Sequence, residues 1–219
     1  MAKKKSTRTG KRLSKKDIFA KYGVELVDSK HIRTPLGNVI PLLMPVDSNS
    51  KVGDAATFSQ WHGCETIEKK ELGEKARGVL ELAGIDEIKG SCPCHCKDCY
   101  CDKFRYTWDS NKASAIMKLI LVRNFPEWVE GALIAQIESD GITQVRIHAQ
   151  GDFDSERNCD IWAKVVNACP DCTFWTYTKN AYALAKFAGM RNLKVVPSVT
   201  PYGINFGTCA ELLEMYHAL

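Results

Sequence analysis

The chain has 219 residues, 45% of them hydrophobic, which is enough for a full core and reads as one domain with an N-terminal extension. No apolar run approaches the ~20 residues that cross a bilayer, and the basic N-terminus has no apolar h-region or cleavage site, so the reading is a cytoplasmic protein without membrane contact. The net charge is +4, but residues 1–16 hold eight basic side chains and no acid, leaving −4 for the rest. The positive charge therefore belongs to a solvated, disordered tail, one suited at most to non-specific contact with nucleic acid phosphates.

After the tail, Ser14 and Asp17 have capping-box spacing, Ile18, Phe19 and Tyr22 share a face, and Gly23 can end a short helix. Residues 24–43 are rich in β-branched side chains, and Thr34-Pro-Leu-Gly-Asn38 has turn chemistry, which predicts a small hairpin. Residues 17–60 form the extension, and 61–219 the main domain. Residues 47–61 read as irregular. His62 and Cys64 then form a candidate ligand pair, set against Cys64 as a small buried hydrophobe. Thr66 to Ala83 has helical periodicity with Gly84 as C-cap, and Ile85 to Ile88 reads as a strand.

That strand leads into loop 91–106, where Cys92, Cys94, Cys96, Cys99 and Cys101 fall within ten residues. Thiols so close cannot all pair without strain, whereas thiolates on a tight loop can converge on a soft metal. Ten cysteines in an unexported chain point the same way. Cys92, Cys96 and Cys99 suit an iron–sulfur cluster, while Cys94, Cys96, Cys99 and Cys101 could instead make a four-thiolate zinc site.

Beyond the loop, helices and strands alternate. Helices are predicted over Lys112 to Arg123 and Glu127 to Ser139, broken at Pro126, then Ser155 to Ala168, Asn180 to Gly189 and Thr208 to His217. Strands are predicted over Ile142 to Asp152, Thr173 to Thr178 and Leu193 to Val199. The alternation implies right-handed βαβ units, and hence an α/β fold built as a partial (β/α) barrel with parallel strands. Its working face would be the carboxyl ends of the strands. There the cysteine loop would meet Gln150-Gly-Asp-Phe-Asp154, Thr176-Tyr-Thr-Lys-Asn180 and Ser198-Val-Thr-Pro201. Cys169 and Cys172, a C-x-x-C pair, would fall at the opposite end.

Period-two alternation puts Val145, Ile147 and Ala149 on one face of their strand and Arg146, His148, Gln150 and Asp152 on the other. A polar row in a parallel sheet implies either a cavity for a polar ligand or a mutually satisfied buried network.

Cys92-x-x-x-Cys96-x-x-Cys99-Tyr100, followed by a strand ending in Gln150-Gly-Asp152, resembles the core of the radical S-adenosylmethionine (SAM) enzymes. Asn49-Ser-Lys-Val-Gly53, Gly151-Asp-Phe153, Phe174-Trp-Thr-Tyr-Thr-Lys179 and Val196-Pro-Ser198 are similar to the phage-associated gene-product-88 family. The first resemblance implies a 4Fe–4S cluster on Cys92, Cys96 and Cys99, with Cys94 and Cys101 as alternates. It also implies SAM held by Tyr100, Gln150, Gly151, Asp152, Thr178, Lys179 and Ser198, with His148 and Arg146 directed at substrate. It further implies an electron donor, and a deoxyadenosyl radical that abstracts hydrogen from an unidentified substrate. Two departures stand out: Asp98 occupies the place of the usual aromatic residue before the third cysteine, and four βα units are visible where that family has six.

Overall fold

A computed structural model describes residues 13–44, 55–92, 99, 101 and 107–198. Asn49 to Gly53, Cys94, Cys96, Tyr100, Val199 to Pro201 and the expected helix Thr208 to His217 lie outside the described residues.

Helix α1 (Lys15–Lys21) forms where the capping box predicts it. The Ser14 hydroxyl accepts from the Asp17 N–H at 3.2 Å, and the Asp17 carboxylate accepts from the Ser14 N–H at 3.3 Å. The expected hairpin is a three-stranded antiparallel meander of β1 (Glu25–Leu26), β2 (Ile32–Arg33) and β3 (Val39–Ile40). The additional reversal comes from Asp28, whose carboxylate accepts from the N–H groups of Lys30 at 2.8 Å and His31 at 3.0 Å. The second turn is the predicted one, closed by Thr34 N–H on the Asn38 carbonyl at 2.8 Å. The side-chain amide of Gln136 bonds both backbone groups of Leu43, tying the meander to the main body.

Three expectations between residues 47 and 89 need correction. The irregular stretch contains β4 (Ala56–Thr57), too short for any periodicity to announce it. The single helix read over Thr66 to Ala83 is a strand β5 (Thr66–Glu68), a 3-10 turn (Lys69–Glu71) and helix α2 (Glu74–Ala83). Thr66 and Ile67 are drawn into an antiparallel ribbon with β6 (Glu87–Lys89), and the helix starts only after Gly73. Its first turn is satisfied from far along the chain, by the Asp109 carboxylate accepting from Lys75 N–H at 2.7 Å and Ala76 N–H at 3.2 Å. The strand before the cysteine loop is therefore part of this ribbon, not of the parallel sheet.

Helices α3 (Asp109–Asn124) and α4 (Pro126–Asp140) divide at Pro126, which takes the first-turn position where its missing N–H costs nothing. The sheet then adds β7 (Gln144–Ile147), β8 (Thr173–Thr178) and β9 (Leu193–Pro197) through crossovers containing α5 (Glu156–Ala168) and α6 (Ala181–Lys186). Ser155 and Asn180 cap these helices, as read from the sequence. All four strands are parallel, in the order β4-β7-β8-β9. The result is a mixed α/β architecture with one four-stranded parallel sheet and six helices among the described residues.

One face of this sheet carries Val145, Ile147, Phe174 and Leu193, packed in a core with Met117, Leu121, Leu133, Trp162, Val166 and Phe187 from the helices. Phe19, Ile32 and Leu42 from the first forty-odd residues join the same core. The other face is not buried in this way. Strand β8 reads exposed, buried, half-buried, buried, exposed, buried, so that Trp175 and Tyr177 look away from the core. No described helix is long and apolar enough to cross a membrane.

Candidate functional site at the carboxyl ends of the parallel strands

Past β4 the chain keeps close to β7: Phe58 N–H donates to the Arg146 carbonyl at 3.0 Å, Ala149 N–H to the Phe58 carbonyl at 2.8 Å, and Gln60 N–H to the Gln150 carbonyl at 3.1 Å. The beginning of the cysteine loop lines up on the far side of this segment, with Ser91 N–H on the Trp61 carbonyl at 2.9 Å and Cys92 N–H on the Gly63 carbonyl at 3.1 Å. Although β6 lies outside the sheet, the loop thus starts where the reading from sequence put it, beside the Gln150-Gly-Asp152 turn.

Ser91 is the strut between the two. Its hydroxyl donates to the Trp61 carbonyl at 2.7 Å and accepts from Asp152 N–H at 3.1 Å. Approach this close requires glycine on both sides. Gly151 has φ 84°, and a Cβ there would stand 2.6 Å from Ser91 Oγ and 2.7 Å from the Gln60 carbonyl oxygen, while a Cβ on Gly90 would overlap the carbonyls of His62 and Gly63. Arg123, at the end of α3, joins the same loops, bonding the Asp154 carboxylate at 2.7 Å, the Lys89 carbonyl at 2.8 Å and the Gly90 carbonyl at 3.3 Å.

Asp152 is 3% exposed, and its carboxylate is already engaged by protein donors: Phe153 N–H at 2.8 Å, the Thr178 hydroxyl at 2.6 Å and Lys179 N–H at 2.8 Å. Burial pushes its pKa up, and these three hydrogen bonds oppose that rise. Thr178 and the Lys179 backbone are therefore the groups that hold Asp152. Ser198 is half-buried, with its N–H on the Thr178 carbonyl at 2.7 Å. Gln150 is buried, its amide 2.7 Å from His62 Nδ1, and Cys64 is half-buried, not the core residue a lone cysteine suggests.

The row expected from Arg146 to Asp152 does not exist. Strand β7 ends at Ile147, and His148 takes φ 53°, a left-handed conformation that breaks the alternation. The His148 ring is thereby turned into the core, 2% exposed, among Phe153, Phe58 and Trp162 with centroids at 4.4, 5.8 and 6.2 Å. Both its ring nitrogens are buried without a partner, and burial pushes its pKa down to about 3. Only Arg146 of the two residues assigned to substrate stays on the open face. The four side chains do not bond one another, so the mutual-network reading fails with the row.

Among the thiols, Cys92 and Cys99 are half-buried and Cys101 is buried. Burial pushes the Cys92 thiol up to about 12, and Asp152, Lys179 and Cys99 are near enough to act on its charge. A soft cation reverses that preference by taking the thiolate directly. Among the described residues there is no group of three or more His, Cys, Asp or Glu side chains placed to hold a metal ion; Cys94 and Cys96 lie outside them. The donors in this loop are soft, as an iron–sulfur or zinc site requires. Cys169 and Cys172 are buried just before β8, at the amino end of the sheet and away from Cys92, as the alternation predicts.

Sequence reasoning missed Ser91, Gln60 and Arg123. Gln60 is fully buried, its amide donating to the Asp152 carbonyl and accepting from Asn158. The position of Ser91 next to the first cysteine was a usable signal; Arg123, thirty residues away on a helix end, had none.

The fold and site together define a mixed α/β protein with a thiol-bearing loop fastened to a glycine turn at the carboxyl ends of a parallel sheet. Residues 59–204 match the family described as Gene product 88, and the chain belongs to that family; the match takes in the motifs at Gly151 to Phe153, Phe174 to Lys179 and Val196 to Ser198, while Asn49 to Gly53 lies outside it. No curated protein and no solved structure matches the chain.

Proposed function

We propose that the protein binds a 4Fe–4S cluster through Cys92, Cys96 and Cys99 and acts as a SAM-dependent radical enzyme in the cytoplasm, with an electron-donor protein as partner. The observation that carries this reading is the Ser91 strut, which fastens the residue before the first cysteine to the backbone of Asp152, Gly151 leaving room for its hydroxyl. When bound, the cluster and SAM supply one-electron reduction and hydrogen abstraction. The chain's own residues position and exclude water. Gly151 packs its turn against Ser91 and Gln60 and offers its backbone to SAM, Asp152 braces that turn through Thr178 and Lys179, and Arg146 faces substrate. His148 is left out of this site because its ring lies in the aromatic core. The sequential order of the parallel strands, with helices against one face, suits a partial (β/α) barrel whose lumen is the open face.

The test is anaerobic reconstitution followed by iron, sulfide and zinc analysis and an assay for 5′-deoxyadenosine. We expect about four irons per chain, lost in the Ala variants of Cys92, Cys96 or Cys99 and retained in those of Cys94 or Cys101. Zinc without sulfide, lost equally on removing Cys94 or Cys101, would replace this reading with a structural zinc site on Cys94, Cys96, Cys99 and Cys101.

A further inference from the structure

A parallel sheet is ordinarily covered on both faces, because its crossover helices bury them. Here the face opposite the core carries a cross-strand row of Thr57, Arg146, Trp175 and Lys194, with Tyr177 and Val196 in register two residues further on. Tyr177 is 49% exposed, and the Arg146 guanidinium lies 5.6 Å from its ring centroid. Arg146 Nε is buried without a hydrogen-bond partner, and Arg146 and Lys194 form no ion pair among the described residues. The strand residues on this face, Gln144 and Thr173 included, contain no acid. The patch therefore offers two cations without a carboxylate partner among the described residues, and two aromatic rings spaced about 6.6 Å along one strand, room for a separate base on each.

We infer that this open sheet face binds single-stranded nucleic acid, with bases stacked on Tyr177 and Trp175 and phosphates taken by Arg146 and Lys194. Charge and shape select this occupant. An acidic peptide would satisfy the cations and leave the rings unused, whereas a duplex keeps its bases out of reach of a flat aromatic surface. The interaction takes the same open face and the same Arg146 that the radical reading gives to its substrate, but it needs no cluster, so a test without reconstitution separates its failure from that of the radical reading.

The experiment is fluorescence anisotropy of the full-length protein, without reconstitution, with a labelled oligothymidylate at about 50 and 200 mM salt, because higher salt suppresses the contribution of the basic residues 3–16. At the higher salt Tyr177→Ala should weaken binding about tenfold and Tyr177→Phe should restore it. Arg146→Gln should lower the slope of log affinity against log salt by about one. Affinity of Tyr177→Ala within twofold of wild type, or equal competition by duplex, would overturn the proposal and assign any binding to the tail. Should Tyr177→Ala prove unfolded by circular dichroism, photocrosslinking of the wild-type protein to an iodouracil-substituted strand decides. Adducts on Trp175 or Tyr177 support the site, and adducts confined to residues 1–16 refute it.

Discussion

Replacing His148 by leucine should leave the protein folded and make it more resistant to acid. In the folded state the imidazole sits among three aromatic rings with neither nitrogen bonded, and burial holds its pKa at about 3 against an ordinary value of 6.5. The folded pKa is depressed, so the unfolded chain binds the proton first. Stability is therefore fully present above pH 6.5 and falls as pH drops from there towards 3. At pH 5 the cost works out at about 2 kcal/mol, from RT ln(1 + 10^1.5), equivalent to about 4–8 °C in melting temperature for a chain of this size. Leucine has a similar volume and no polar atom, so at pH 7 the variant should stay within about 1 kcal/mol of wild type, the desolvation it avoids offsetting the imperfect fit. Urea unfolding of both proteins at pH 7 and pH 5 isolates the contribution of this one histidine from the other four. Equal losses of stability between the two pH values would refute the burial argument. Loss of structure in His148→Leu at pH 7 would show that the ring makes a contact the packing account omits.

Lys118 offers the mirror case at alkaline pH. It is 1% exposed on α3, its ammonium 5.7 Å from the Phe58 ring centroid, and burial lowers its pKa to about 8. The unfolded chain holds the proton up to 10.5, so wild-type stability should rise between pH 8 and 10, while Lys118→Met should show no such rise and should be more stable at neutral pH by at least about 1 kcal/mol. Gly151→Ala should cost about 3 kcal/mol or more, from positive φ together with overlap on Ser91 and Gln60, measured as an earlier urea midpoint. Asp152→Asn puts an amide where three donors converge and should cost about 1–3 kcal/mol. An unchanged midpoint there would return Asp152 to the role of a ligand-facing carboxylate.

Local chemistry was legible wherever neighbours in sequence make the structure. The capping box at Ser14, the caps at Ser155 and Asn180, the break at Pro126 and the whole of β8 follow from side chains within four residues. The failures are non-local. Helix α2 starts at Glu74 because Asp109 caps it from thirty-odd residues away and leaves no room for a Cβ at Gly73. Strand β4 is two residues long and exists because β7 and Met44 flank it. The polar row failed at one backbone angle: period two holds only while φ stays negative, and His148 departs from it. In the candidate site, the meeting of the cysteine loop with the Gln150-Gly-Asp152 turn was expected from a strand order that β6 does not follow, and it is made instead through the Gln60–Trp61 segment; the occupation of Asp152 by Thr178 and Lys179 depends on register between two crossovers.

The anchoring on either side of the cysteine loop has a thermodynamic consequence. On one side Arg123, Ser91 and the Gly63 carbonyl fix Lys89 to Cys92; on the other Asp109 is locked into the first turn of α2. The entropy of bringing the two ends of this loop together, which grows as about 1.5 RT ln n, is thus paid when the domain folds and not when a ligand arrives. A metal taken by these thiols, as proposed above, would meet a segment whose ends are already held, so more of its coordination energy would go into affinity and less into folding the chain around it.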